Sequence, residues 1–206
     1  MRKANDLTDI MNIAYASKYN LSQLATSRNK PVQIILHWTA GRYNQFFDDY
    51  HINIDSDGSY ILTTEDFSEV KSHNWMKNTG SIAICLCCAY NANTNDLGDY
   101  PPTNEQIEAM AKVIAVITKA LDIPIDIHHV CSHGTSADNE DYVIYFPDYT
   151  GYRNNTYGPK STCERWDLEY LGTNESPSFD PYNQSMRGDE VIRQKAKKYR
   201  MSFYGD

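Results

Sequence analysis

Long apolar runs are missing from this 206-residue sequence, and none reaches the about eighteen uninterrupted apolar residues that a membrane-spanning helix needs. Basic residues are also scarce, with 19 Lys and Arg against 27 Asp and Glu and a formal net charge of −8. Binding to nucleic acid depends on a clustered excess of cationic side chains. We therefore expect no membrane span and no DNA or RNA partner.

An even cysteine count, which a disulfide framework needs, is also absent. The sequence has five cysteines, and Cys85, Cys87 and Cys88 are crowded into four positions. Neighbours this close cannot easily pair with one another. Reduced thiols fit this arrangement better than disulfides.

Apolar, β-branched runs bounded by turn residues predict the strands of a central sheet. The run "VQIILHW" has His37 near its end and is followed by "TAG", which indicates a buried strand entering a loop. The pair Asp57-Gly58 is a strong hairpin signal. The predicted strands cover 32–38, 50–55, 60–63, 81–90 and 127–133.

Apolar residues three and four positions apart predict helices around that sheet. Thr103 and Gln106 form a capping box that begins a long helix. Further helices are expected at about 5–18 and, with a basic character, at about 188–200. A polar segment without periodicity, about 138–163, is interpreted as a long surface loop. The patterns together predict one α/β domain with a central mixed β-sheet flanked by helices.

Six histidines are the first candidates for metal chemistry, because neutral imidazole is the commonest zinc ligand. His129 and His133 are four residues apart, but Val130 stands where the zincin motif has glutamate, so the zincin interpretation fails. A single histidine at a strand end is more often a hydrogen-bonded structural residue than a ligand. Composition alone does not choose among the six.

Six short motifs follow one another along the chain: "IILHWTAG", "YHINIDSDGSYI", "SHNWMKNTGSIAICL", "YPPTNEQIEAM", "VCSHG" and "ERWDL". In this order they resemble the superfamily of type-2 N-acetylmuramoyl-L-alanine amidases and peptidoglycan recognition proteins, including its phage amidase-type endolysins. The resemblance covers roughly residues 31–171. It implies a catalytic domain over 1–171, followed by a linker and a basic helix over 172–206.

The resemblance also implies one zinc ion per chain, bound by two histidines and one carboxylate. His37 in "LHWTAG" matches the first ligand, His133 in "CSHG" the second and Asp167 in "RWDL" the third. Such a set suits Zn²⁺ and leaves one position for the water that acts as nucleophile. From the residues alone, Asp167 could instead lie at a helix start and interact with the helix dipole.

By the same resemblance, Tyr50 and Arg165 are the catalytic side chains beside the metal. The Tyr50 phenol can hydrogen-bond the developing oxyanion, although a hairpin tyrosine can also simply pack on the core. Arg165 stands where relatives keep a lysine or a comparable donor, and arginine is not a neutral replacement for lysine. Together the two side chains would stabilise the tetrahedral intermediate.

Three further residues are expected to contact substrate: His73 and Asn78 in "SHNWMKN", and Cys85. Many cellular members of the superfamily carry a glutamate general base at the position of Cys85, whereas "IAICL" resembles the phage-type members that lack it. Cys85 could approach the metal, act as a nucleophile or respond to oxidation, but a buried strand cysteine is most often an inert small hydrophobe. The loop at 138–163 could wall the groove, and the C-terminal helix carries a local basic patch.

The implied activity is zinc-dependent hydrolysis of the amide bond between N-acetylmuramic acid and L-alanine in peptidoglycan. Two alternatives stay open: a peptidoglycan-binding module of the same fold without catalysis, and a zinc amidohydrolase that acts on soluble muropeptides. Asp6 and Asp9 stand where a signal peptide would have its apolar run, so we expect no export signal. Synthesis in the cytoplasm and release to the cell wall by a holin or another route are expected in turn.

Overall fold

A mixed six-stranded sheet forms the centre of the molecule. The computed structural model describes residues 1–74, 77–93, 95–137, 167–180 and 183–206. The sheet order is β1-β4-β3-β5-β2-β6, in which β4 is antiparallel to β1 and β3, and the other pairs are parallel. This arrangement confirms the predicted mixed sheet. In chain order the strands are β1 (Arg2–Lys3), β2 (Gln33–Trp38), β3 (Ile52–Ile54), β4 (Tyr60–Leu62), β5 (Ser81–Leu86) and β6 (Val130–Ser132).

In the part of the chain that the structure describes, four α-helices flank the sheet. Helix α2 packs against both α1 and α4, and α4 also packs against β6. Within the same described ranges, every helix is too short or too polar to cross a lipid bilayer. The helices are α1 (Leu7–Thr26), α2 (Asn104–Leu121), α3 (His133–Ala137) and α4 (Gly188–Tyr204).

The start of α2 is built as the capping box predicts. Gln106 N donates to Thr103 Oγ1, and Thr103 N donates to Gln106 Oε1. The buried amide nitrogen of Gln106 also donates to the carbonyl oxygens of Ile54 and Cys87, both at 3.0 Å. This side chain therefore fixes the beginning of α2 to the ends of β3 and β5. The predicted core stripe is buried as well: Ile107, Met110, Ala111, Ile114, Ile117 and Leu121.

The hairpin of β3 and β4 is confirmed, with Ile52 opposite Leu62. Its turn contains Gly58 at φ 80°, a left-handed conformation that glycine adopts without strain. A Cβ at Gly58 would lie 3.1 Å from the carbonyl oxygen of Glu105, so the turn packs tightly on the beginning of α2. Tyr50 lies two residues before β3, and its ring reaches that of His37, with the centroids 5.0 Å apart.

Helix α1 extends beyond its predicted end at about residue 18. The Asp6 side chain accepts a hydrogen bond from Asp9 N and caps the beginning of the helix. Leu21 and Ala25 continue the buried face, and the helix ends at Thr26. The prediction was too short because polar residues interrupt the apolar pattern after residue 14.

All five predicted strands are shorter in the structure, and two of them differ most. The strand expected at 81–90 ends at Leu86, and Ala89 adopts φ 69°, a left-handed conformation that no strand residue takes. The strand expected at 127–133 is reduced to β6, because His133 is already the first residue of α3. The isoleucine- and valine-rich pattern marked the strands correctly but not the turns that terminate them.

The C-terminal helix α4 is longer than the predicted 188–200, and much of its positive charge is neutralised. Arg187 and Arg193 are each 3% exposed and form ion pairs inside the protein. Lys195 pairs with Glu108 of α2 at 2.8 Å. Arg187 and Arg193 of the expected basic patch are therefore internal, whereas Lys197 and Lys198 are exposed.

The carboxyl ends of the parallel strands β5, β2 and β6 meet at one edge of the sheet. His37 is the second-last residue of β2 and lies opposite Cys85 of β5. His133 follows β6 directly. Open α/β sheets bind their ligands outside the carboxyl ends of the strands, so this edge is the expected position of a site.

Candidate metal centre

Three side chains that can bind a metal ion converge at this edge. His37 Nδ1 lies 3.1 Å from Asp167 Oδ2, and His133 Nδ1 lies 3.2 Å from the same oxygen. One donor atom from each of the three residues lies within 4.8 Å of the other two. Asp167 is 130 residues from His37 and 34 from His133 along the chain, so only the fold brings them together.

Two of the three spacings between these donor atoms are close to those of a tetrahedral zinc ion. With bonds of about 2.0 to 2.2 Å, neighbouring ligand atoms of such an ion are about 3.4 Å apart. The distances to Asp167 Oδ2, 3.1 and 3.2 Å, are close to that value. Two imidazole nitrogens and one carboxylate oxygen also match the three-ligand sets of catalytic zinc sites, which keep one position open.

The carboxyl group of Asp167 is held in its ionised form. Burial by itself raises its pKa, but hydrogen bonds with His133 and His37 lower it more, and the net pKa is well below the ordinary value. Metal ligands of this type must be deprotonated to bind. Asp167 meets that condition at neutral pH.

A chain of hydrogen bonds leads away from His37 on the other side of its ring. Ser81 Oγ donates toward the carbonyl oxygens of Lys77 and Asn78, at 2.8 and 2.9 Å. Because its single hydrogen is used there, Ser81 Oγ accepts from His73 Nε2 at 3.1 Å. His73 Nδ1 then has a lone pair and accepts from His37 Nε2, also at 3.1 Å.

This chain determines which nitrogen of His37 carries the proton. Burial, and next the charge of His37, lower the pKa of His73 well below its ordinary value, so His73 is neutral and donates only to Ser81. A neutral His37 therefore has its proton on Nε2 and a lone pair on Nδ1 that can bind a metal ion, whereas a doubly protonated His37 donates from Nδ1 to Asp167. In the neutral ring, Nδ1 of His37 and Oδ2 of Asp167, 3.1 Å apart, are both available as metal ligands.

His133 and Asp167, two of the three candidate ligands, line a groove with a volume of about 1090 Å³. The ring of Tyr50 also lines it, and its centroid is 5.0 Å from that of His37. Much of the remaining lining is polar, which suits a substrate rich in hydroxyl and amide groups. The described lining residues include Asp49, Tyr50, His73, Asn74, Asn78, Asn91, Asn93, His133 and Asp167.

Comparison with known proteins identifies the family. The family model described as N-acetylmuramoyl-L-alanine amidase matches residues 27–143, which is more than half of the chain. The chain belongs to this amidase family. The predicted resemblance is thereby confirmed at the level of the family.

Two solved amidase structures are similar to the chain. The endolysin N-acetylmuramoyl-L-alanine amidase LysCS from Clostridium intestinale URNW is 18% identical, with a TM-score of 0.38 over 52% of this chain and 70% of its own. The N-acetylmuramoyl-L-alanine amidase LysC from the same organism is also 18% identical, with a TM-score of 0.36 over 52% and 72%. A search of curated proteins found no match.

The span that matches the amidase family ends before the third candidate ligand. It contains His37, Tyr50, His73 and His133, but Asp167 lies beyond its last residue. Arg165 and the loop at 138–163 lie outside the described residues. The roles expected for this arginine and this loop therefore stay predictions.

Cys85 does not line the groove, contrary to the expectation that it contacts substrate. Its side chain is fully buried, and Sγ lies 3.3 Å from Asn53 Oδ1. The same amide of Asn53 binds the backbone N and O of Phe47, each at 2.9 Å. Burial raises the pKa of the Cys85 thiol well above its ordinary value. Cys85 is thus a neutral thiol between β2 and β3, where it supports the amidase core.

His73 and Asn78 both line the groove, as expected, but the hydrogen bonds that they form are with other residues of the protein. Asn78 Oδ1 accepts hydrogen bonds from the backbone nitrogens of His73 and Asn74, at 3.1 and 2.7 Å. Asn78 therefore shapes the turn that holds His73 against His37. A contact with substrate stays a prediction for both residues.

Sequence reasoning missed a second connection within this site. Lys77 is 1% exposed, and its Nζ donates to Ser136 O and Oγ at 2.8 and 2.6 Å. Asn74 Nδ2 also donates to Ser136 Oγ, at 2.8 Å. These bonds join the turn that carries His73 to the helix that begins with His133. The partners are about sixty residues apart, so no local pattern in the sequence marks them.

Proposed function

We propose that this protein is a zinc-dependent N-acetylmuramoyl-L-alanine amidase with His37, His133 and Asp167 as the zinc ligands. Its substrate is the amide bond between the lactyl group of N-acetylmuramic acid and L-alanine in peptidoglycan. The observation that carries the proposal is the convergence of three donor atoms within 4.8 Å beside a polar groove. Membership of the amidase family supports the reaction class.

The residues of the chain prepare the ligands for this role. Bound zinc would supply the Lewis acidity that activates water and polarises the scissile carbonyl group. Asp167 contributes an ionised carboxylate, and the hydrogen-bond chain from Ser81 through His73 places the proton of a neutral His37 on Nε2, which leaves Nδ1 for the metal. Outer partners of this kind fix the orientation and tautomer of a ligating histidine.

Tyr50 is the proposed donor to the oxygen on which negative charge develops. Its ring lies beside that of His37, and it lines the groove. A phenol O–H aimed at a developing oxyanion stabilises the transition state more than the ground state. Arg165, two residues before Asp167, is proposed as a second donor on the basis of the resemblance.

The groove has the size and polarity that a segment of cell wall requires. Its volume of about 1090 Å³ is at or above the upper end of the roughly 300 to 1,000 Å³ that is usual for small-molecule sites. Four asparagines line it, and the amide atoms that they do not use in internal hydrogen bonds suit sugar hydroxyls and peptide amides. These side chains are Asn74, Asn78, Asn91 and Asn93.

The test is the chemical identity of the products. Purified sacculi are digested with zinc-loaded protein, new amino termini are labelled, and the fragments are identified by mass spectrometry. The proposal predicts stem peptides that begin with L-alanine, together with glycan strands that keep intact N-acetylmuramic acid. New reducing sugar ends would identify a glycosidase, and new termini within the stem peptide would identify an endopeptidase; either result overturns the proposal.

The same digestion separates the two alternatives. A binding module would bind zinc and sediment with sacculi but release no peptide. An amidohydrolase specific for soluble muropeptides would cleave purified muropeptides and leave sacculi intact. Cleavage of sacculi at the alanine amide supports the amidase proposal over both.

A further inference from the structure

Asp189, the second residue of α4, binds the segment that leads to His133. Its side chain is fully buried, and Oδ2 accepts hydrogen bonds from Ser132 N at 3.0 Å and Thr135 Oγ1 at 2.8 Å. Arg193 balances its charge, with Nη1 at 2.9 Å. The same Arg193 nitrogen donates to Val130 O at 2.8 Å. The residues before and after His133 are thus attached to α4.

Arg187, immediately before α4, binds the segment that follows Asp167. Its Nε donates to Glu169 Oε2 at 2.9 Å, and a second guanidinium nitrogen lies 2.9 Å from the same oxygen. Both side chains are buried, at 3% and 2% exposure. Gly188 N also donates to Glu169 O, at 3.2 Å. The chain is therefore held two residues beyond Asp167 by charge and by backbone contact.

Leu168, between Asp167 and Glu169, has an unusual backbone conformation. It adopts φ 59°, which is unfavourable for a branched side chain, and it is fully buried. Such a conformation persists only where the surroundings impose it. Gly188 is part of those surroundings: a Cβ at that position would lie 2.2 Å from Leu168 O, so only glycine allows this approach.

We infer that the beginning of α4, residues 187–189, is a positioning element of the metal centre. Three consecutive residues there hold the two segments that supply His133 and Asp167, and so set the spacing between the two ligands. Buried ion pairs are a poor source of net stability. The pairs Arg187–Glu169 and Asp189–Arg193 are therefore better explained by the positions that they give to the two ligand segments. The turn lies beyond the span that matches the amidase family. The role assigned to it rests on the proposed function, because it presupposes a zinc ion at the three ligands.

The test compares zinc affinity in Arg187→Met and Asp189→Asn with that of the wild type. Each dissociation constant is measured by competition with a chromophoric chelator, and the visible spectrum of the Co²⁺ form reports ligand geometry. Loss of an outer partner typically weakens metal binding by about 10- to 100-fold, and we expect that loss in both variants. Lys195→Met is the matched control, since Lys195 lies on α4 but pairs with Glu108 of α2. It should bind zinc within about twofold of the wild type.

A double variant separates positioning from folding. Removing only one partner leaves a buried charge uncompensated and can unfold the chain, whereas Glu169→Gln combined with Arg187→Met removes both charges. We expect the double variant to regain thermal stability while its zinc affinity stays weak and its Co²⁺ spectrum stays altered. Recovery of zinc affinity together with stability would overturn the inference, as would wild-type affinity in the single variants. Absence of zinc binding by the wild type would instead contradict the proposed function.

Discussion

The imidazole of His73 lies edge-on to that of His37, with Nδ1 of His73 3.1 Å from Nε2 of His37. The two residues are 36 positions apart along the chain; His37 is fully buried, and His73 is 8% exposed. Because Nε2 of His73 donates to Ser81, its Nδ1 accepts a hydrogen bond from Nε2 of His37. Nδ1 of His37 is then left for a metal ion. The property of His73 that matters is therefore its acceptor atom rather than its charge.

Replacing His73 should weaken zinc binding without removing a ligand. His73→Leu deletes the acceptor, and we expect a roughly 10- to 100-fold higher zinc dissociation constant. His73→Asn keeps an oxygen near the position of Nδ1 and should recover most of that loss. His129→Leu is the control, because His129 pairs with Asp126 outside the groove. Equal zinc affinity in wild type and His73→Leu would contradict the role assigned to this ring.

Removal of the Tyr50 hydroxyl should slow the reaction and leave the metal in place. Loss of one oxyanion donor typically lowers kcat by about 100- to 1,000-fold. Tyr50→Phe is therefore expected to bind zinc like the wild type but release stem peptides far more slowly. In the control, Tyr43→Phe, the lost hydroxyl donates to Pro101 O instead. If Tyr50→Phe keeps the kcat of the wild type, the Tyr50 hydroxyl does not stabilise the oxyanion and the ring only packs against its neighbours.

Cys85 should be dispensable for catalysis. Its thiol is buried and neutral, and the side chain does not line the groove. We expect Cys85→Ala to keep activity within about threefold of the wild type and to be less stable by about 1 kcal/mol, the order expected for removing a small buried group. Cys131→Ala provides a matched buried cysteine. If Cys85→Ala keeps its zinc but loses activity more than tenfold, the thiol takes part in the reaction.

The buried ring of His51 should make the metal-free protein less stable as pH falls. Burial lowers the pKa of His51 from 6.5 to about 4, against a smaller opposing effect of its hydrogen bond to Glu69 O. Between those values the unfolded chain binds a proton that the folded chain does not. Stability contributed by this ring is therefore complete above about pH 6.5 and is lost toward pH 4, by about 3 kcal/mol in total. The lowered pKa of His73 acts in the same direction.

Urea unfolding of the chelator-treated protein between pH 4 and 7 measures this effect. His51→Gln keeps a donor and an acceptor but cannot titrate. The free energy of unfolding of this variant should vary less steeply with pH than that of the wild type. The expected difference in slope is about 1 kcal/mol per pH unit across that range. Identical slopes for the two proteins would show that His51 does not titrate as its burial implies.

Local patterns predicted the parts of the fold that depend on neighbouring residues. The Thr103–Gln106 capping box and the Asp57-Gly58 turn are both present as expected, because each is completed within a few residues. Helix ends and strand ends were less predictable. For example, β6 ends at Ser132, whose backbone N donates to Asp189 from 57 residues away, and a helix begins at His133.

The candidate site shows the same division. The order of motifs pointed to His37, His133 and Asp167, and the fold brings these three together. The bonds that orient them could not be predicted, because Glu169 and Arg187 are ordinary charged residues in the sequence and become an internal pair only in the folded chain. The full burial of Cys85 fits its alternative interpretation as an inert small hydrophobe better than the expected contact with substrate.

Zinc content is the most direct test of the central claim. Wild type, His133→Ala and Asp167→Ala are purified under identical conditions, with His129→Ala as a control, and are analysed by atomic emission. We expect about one zinc per chain in the wild type and in the control, and less than about a tenth of that in the two ligand variants. Full zinc content in His133→Ala or Asp167→Ala, or none in the wild type, would contradict that claim.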